Sequence, residues 1–157
     1  MKYIGLLISC LLLLSCKSLQ NTTIVNTYEI SDLTVSRTPC FGVCPTYTLR
    51  VNKDGEATLD AQKYLKNNLE GKYIAQISPK QLNGIYRMLQ EMNFTALEDR
   101  YGSRNITDLP SVNTVITYKG GLVKKINDYG NKGTPDLVKF YTYMDELLYG
   151  LNWKVSK

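Results

Sequence analysis

The sequence predicts an α+β domain: a mainly antiparallel sheet of about five to six strands with two amphipathic helices packed on one face. Three observations carry that expectation. Apolar and polar residues alternate over several short runs, as half-buried strands require. Two Ser/Thr-Pro steps each open a stretch whose apolar residues recur at helical spacing. No strand is followed by the long crossover that parallel pairing needs. The chain has 157 residues, 43% hydrophobic and 21% charged, which suits about one globular domain and excludes wholesale disorder.

The elements follow in order. Leu33 and Val35, with Arg37 on the same parity, mark a first strand. Tyr47, Leu49 and Val51 alternate with Thr46, Thr48 and Arg50 in a second. Asn52-Lys53-Asp54-Gly55 is a turn with glycine where a left-handed residue is wanted, and Ala57, Leu59 and Ala61 form the return strand. Tyr73, Ala75 and Ile77 give a further short strand. Ser78-Pro79-Lys80-Gln81 then reads as a capping box, and Leu82, Ile85, Leu89 and Met92 form the buried stripe of the helix behind it. Residues 94–111 are irregular. Thr114, Ile116 and Tyr118 lead into Gly120-Gly121, read as a two-residue turn, and Leu122 to Tyr129 returns. Thr134-Pro135-Asp136 caps the last helix with an acid at its positive end. Leu137, Phe140, Met144, Leu147 and Leu151 form its stripe, with Gly150 as the expected C-cap.

The start of the chain reads as an address. Lys2 precedes an apolar run, Ile4 to Leu14, that is too short to span a bilayer needing roughly 20 helical residues. It ends in Leu13-Leu14-Ser15-Cys16, which resembles the bacterial lipobox. The resemblance implies a lipoprotein signal peptide over residues 1–15, cleavage before Cys16, and lipid (palmitate among the acyl chains) on that cysteine. Two or more acyl chains hold a protein on a membrane stably. Residues 16–27 are then a polar lipidated tether, and residues 28–157 the single α+β domain. Lys17, where aspartate would favour inner-membrane retention, points to the outer membrane of the cell envelope.

Composition closes off several chemistries. Histidine is absent, which removes Ser-His-Asp and Cys-His nucleophile systems and most catalytic zinc sites. A net charge of +5 is too mild to imply nucleic-acid binding. No cofactor is expected. Of the four cysteines, Cys10 leaves with the signal and Cys16 is consumed by lipid, so Cys40 and Cys44 remain in a compartment that permits disulfides. Flanked by Pro39 and Pro45, with Gly42 between them, they describe a tight loop. Three uses compete: a structural clamp, a redox-active pair and a metal site. The clamp is preferred, because the spacing is not Cys-x-x-Cys and neither a second pair nor a histidine completes a tetrahedral shell. A loop this short stabilises by roughly 2 kcal/mol, so it shapes a local feature rather than holding the fold.

Arg37-x-Pro39-Cys40-Phe41-Gly42-x-Cys44-Pro45-x-Tyr47, followed by Asp54-Gly55, Thr107-Asp108 and Asp128-Tyr129-Gly130, resembles an uncharacterised family of bacterial domains of unknown function, common in secreted proteins and lipoproteins. The resemblance runs over essentially the whole mature domain and implies a shared fold with the Cys loop as its hallmark. It brings no activity, substrate or catalytic residue. Arg37, Phe41, Tyr47, Thr107, Asp108, Asp128 and Tyr129 are the candidate binding surface. If they converge, Arg37 would pair with Asp108 or Asp128 and present a polar pocket. The plainer alternative, which is preferred, has Thr107 and Asp108 capping a turn and Asp128 ending a hairpin. Phe41 is either pushed into the core as a plug, the preferred reading, or held out as a rigid contact. The twelve tyrosines fit the edges of a small core better than a dedicated contact face.

These readings add up to a membrane-anchored bacterial envelope lipoprotein with a non-enzymatic binding or assembly domain. Its expected partners are the membrane, through lipid on Cys16, and an envelope protein. A small thiol-redox enzyme using Cys40 and Cys44, or an inhibitor of an envelope enzyme using the Cys loop, are the alternatives.

Overall fold

The structure, a computed structural model, describes residues 29–156 with the exception of Arg104. The expected signal peptide, the Cys16 lipidation site and the tether lie outside the described residues. Eight strands form one sheet: β1 (Ile30–Arg37), β2 (Thr46–Asn52), β3 (Glu56–Lys63), β4 (Gly71–Gln76), β5 (Arg100–Tyr101), β6 (Ser111–Tyr118), β7 (Val123–Tyr129) and β8 (Lys154–Val155). Helix α1 (Pro79–Glu91) follows β4, and α2 (Pro135–Gly150) follows β7. The spatial order is β5-β7-β6-β1-β2-β3-β4-β8. All neighbours are antiparallel except β5 and β7.

The expected α+β class and mainly antiparallel pairing are present, but the strand count exceeds five to six. The six long strands are those whose alternation is legible. The other two, β5 and β8, are two-residue edge strands. Two residues contain no period, and such blunt edges limit pairing with other chains.

The strands bury one face. Leu33, Val35, Leu49, Val51, Ala57, Leu59, Val112, Ile116 and Ile126 share it and form one core with Ile85 and Leu89 of α1 and with Leu137, Phe140, Tyr141, Met144, Leu147 and Leu148 of α2. Ser78 and Gln81 form the reciprocal capping box of α1, and Thr134 accepts from the Leu137 amide to start α2. Gly150 is the last residue of α2 rather than its cap; Leu151, extended, ends the helix. In the hairpin between β6 and β7 both glycines take positive φ, but the turn's hydrogen bond runs from Gly121 N–H to Tyr118 C=O, so the turn begins before the Gly-Gly pair.

Four connections lie at one end of the sheet: residues 38–45, 64–70, 102–110 and 130–134. The chain enters at the other end beside the β2–β3 and β6–β7 turns, where the Lys119 amide donates to the Glu29 carbonyl and the Lys53 amide to that of Ser31. Along β1 the two ends are about 24 Å apart.

Candidate functional site

Strand register dictates what gathers under the four-loop end. Tyr47 on β2 pairs with Arg37 on β1, Arg37 with Val112 on β6, and Val112 with Asp128 on β7. One row of the core-facing sheet therefore carries three polar side chains that the sequence singled out. Above them α2 supplies Tyr141 and Asp145, one turn apart and so on the same helix face.

The first cluster is an ion pair with a phenol on it. Arg37 Nε lies 3.1 Å from Asp145 Oδ1 and Nη2 lies 2.7 Å from Oδ2, a bidentate fork. The Tyr47 hydroxyl donates to Asp145 Oδ1 at 2.5 Å and accepts from Arg37 Nε at 3.3 Å. Burial first, and then the Asp145 carboxylate, push the Tyr47 phenol far above its ordinary range, against the lowering pull of Arg37. Burial alone would lower the Arg37 guanidinium, but its bonds and charges from Asp145 and Tyr47 outweigh that, and its pKa is raised.

The second cluster is deeper. Asp128 is fully buried, and its carboxylate accepts the backbone N–H groups of Lys132 at 2.6 Å and Gly133 at 2.9 Å. It thereby shapes the loop that leads into α2. A side chain on Gly133 would meet Asp128 Oδ2 and Leu137, so glycine is what lets the loop close on the carboxylate. Tyr141 and Thr114 sit alongside, and neither hydroxyl makes a hydrogen bond of good geometry. Tyr141 is nevertheless near enough to feel its neighbours: burial first, and then the Asp128 charge, drive its pKa far up, while Thr114 and Arg37 pull the other way.

These contacts also show the course of α2. It leaves β7 at the Asp128 loop, passes Arg37 and Tyr47 with Asp145, and reaches the β3–β4 loop, where Lys66 stands 5.5 Å from the Tyr149 ring centroid. The helix crosses the strands rather than running along them.

Over this layer stands the Cys40–Cys44 loop, closed by a disulfide with Cα atoms 5.8 Å apart. It is tied to the 102–110 connection. The Thr38 amide donates to the Ser111 carbonyl, the Ser111 amide to Thr38 Oγ1, and the Phe41 amide to the Asp108 carbonyl. Tyr129 braces that connection in turn, donating to the Ile106 carbonyl and accepting the Leu109 amide. The expectation that Phe41 plugs the core is overturned: it is 88% exposed, and Val43 is 79% exposed. The physical reason is geometric. β1 and β2 pair up to Arg37 and Tyr47, whose side chains bond Asp145, and the loop projects beyond this last paired row.

The structure thus places the sequence-selected residues in two groups. Arg37 and Tyr47 meet each other, and Arg37 pairs with Asp145 rather than with Asp108 or Asp128. Phe41, Asp108 and Tyr129 lie around the 102–110 connection, where Thr107 is exposed. The sequence reading missed Asp145, Tyr141 and Thr114. A signal for the first existed: Asp145 is flanked on α2 by the buried Tyr141, Met144 and Leu148, an acid at the border of an apolar stripe. Among the described residues no group of three or more His, Cys, Asp or Glu is placed to hold a metal ion. An open pocket of about 480 Å³ lies elsewhere, between Lys124 and residues 95–100 at the β5 edge.

A two-layer α+β domain with a disulfide-closed loop held over a polar layer is the class that fold and site define. The chain matches the model of the domain of unknown function DUF6438 over residues 31–148 and belongs to that family. No curated protein is similar to it at a significant level. Among the described residues no helix is long and apolar enough to cross a membrane.

Proposed function

We propose that the chain is a lipid-anchored envelope lipoprotein whose domain is a non-enzymatic binding module, with the Cys40–Cys44 loop as its contact for a protein partner. One observation carries the reading: an aromatic side chain almost fully in solvent at the tip of a loop that is already immobilised. An exposed aromatic anchor supplies much of the energy of an interface, and prior ordering spares the entropy of fixing it. The charged groups beneath support the binding role over catalysis, because they are engaged within the domain. Arg37 is engaged by Asp145 and Tyr47, and both Asp128 oxygens are held by backbone.

The test is photocrosslinking in intact cells, with benzoylphenylalanine replacing Phe41 in the full chain. A discrete protein adduct, lost when Val43→Asp is added, is the expected result. Adducts of equal yield from the outer sheet face at Thr58 would remove the loop from the reading. The anchor is tested separately by palmitate incorporation, which Cys16→Ser should abolish. A reduction potential below about −300 mV for Cys40–Cys44 fits the clamp, whereas one near −120 to −200 mV would restore the thiol-redox reading.

A further inference from the structure

The end of the sheet opposite the Cys loop has its own exposed apolar pair. Leu122 is 53% exposed and Val123 44% exposed, at the tip of the β6–β7 hairpin. The described chain begins against this tip. Glu29 binds Lys119 twice, through its carbonyl to the Lys119 amide at 2.6 Å and through its carboxylate to Nζ at 2.5 Å. Glu29 therefore lies at the same end of the sheet as Leu122 and Val123.

We infer that this hairpin tip rests on the bilayer holding the lipid anchor, so that the domain stands with its Cys40–Cys44 loop directed away from that membrane. The inference rests on the lipoprotein reading. From Cys16 to Glu29 the chain spans at most ~45 Å even when fully extended. Attachment at this end places the hairpin tip closer along the chain to the anchor than the Cys loop, which lies about 24 Å further up the strands. The lipid makes the tip's contact intramolecular, so a small apolar tip suffices where a free protein would need a larger one.

Charge at this end is nearly balanced. Lys119 pairs with Glu29, Lys53 with Asp54 and Lys124 with Asp99, while the neighbouring Lys125 is exposed. The contact is accordingly apolar, carried by Leu122 and Val123, and it should survive high salt, unlike one made by a basic patch. The occupant of this tip is the lipid interface. A protein partner at the same tip is the competing outcome.

The experiment uses the full chain in a bacterial host fed labelled palmitate, with benzoylphenylalanine at position 122 in one sample and at position 43 in another. Irradiation is followed by phospholipid analysis of the purified protein. Phospholipid adducts at 122 but not at 43, formed in the same yield when irradiation is carried out in 1 M salt (a Debye length of ~3 Å) and lost in a Val123→Asp background, are expected. Palmitate on Cys16 without a lipid adduct at 122, with equal adducts at both positions, or with a protein adduct at 122 would overturn the orientation and leave the anchor standing. Absence of palmitate would overturn both. Since Leu122 and Val123 are exposed, neither change threatens folding, and circular dichroism of each variant verifies it.

Discussion

The two ends of the sheet expose apolar pairs of similar size but hold them differently. Phe41 and Val43 sit on a loop fixed by a disulfide, two prolines and hydrogen bonds to residues 108–111, above a polar layer that links three strands to α2. Leu122 and Val123 sit on a glycine turn closed by backbone hydrogen bonds. The loop pair is the more exposed, at 88% and 79% against 53% and 44%, and it is also the more constrained. A clamped protrusion suits a shaped partner, whereas a tip without a covalent clamp suits a surface without fixed features, such as a bilayer.

The largest way to break this contrast is to remove what holds the layer. Asp128→Ala leaves two loop N–H groups without their acceptor in a buried site, and a loss of about 2–4 kcal/mol is expected in urea unfolding. Next comes the clamp. Cys40→Ser with Cys44→Ser should lower stability by roughly 2 kcal/mol. It should also weaken the position-41 adduct while leaving position 122 unchanged.

The tyrosines sharpen the contrast through pH. Tyr47 and Tyr141 have raised pKa values in the folded state, so the native protein keeps protons that the unfolded chain loses above pH ~10. The stability they contribute is complete below that point and falls as pH rises through it, by up to ~1.4 kcal/mol per pH unit for each. Tyr47→Phe should flatten the alkaline limb of the stability curve by one tyrosine's share. The smallest effects are at the tips. Phe41→Ala and Leu122→Asp should each change stability by under ~0.5 kcal/mol, since neither side chain packs in the core, while each abolishes only its own contact.

What was legible in the sequence was local. The capping box at Ser78, the Asp54-Gly55 turn and the parity that puts Arg37 in line with Leu33 and Val35 all follow from residues a few positions apart. The edge strands were not legible, because two residues carry no period. Turn signals point Arg37 toward Asp108 or Asp128, yet its partner Asp145 is 108 residues away and arrives only because α2 crosses the strands. The direction of Phe41 was equally hidden. Its loop is too short for periodicity.

That crossing has a consequence for how the chain acquires its shape. Arg37 and Asp145 are 108 residues apart, so at roughly 5–20 residues per second the helix emerges some 5–20 s after the strand it covers. Throughout that interval the part of the apolar sheet face that α2 covers has no roof. A protein delivered N-terminus first, whether from a ribosome or through a translocation pore, must therefore stay unfinished until its last helix arrives. The delay keeps it threadable, and it exposes the nascent sheet to any holdase that recognises bare strands.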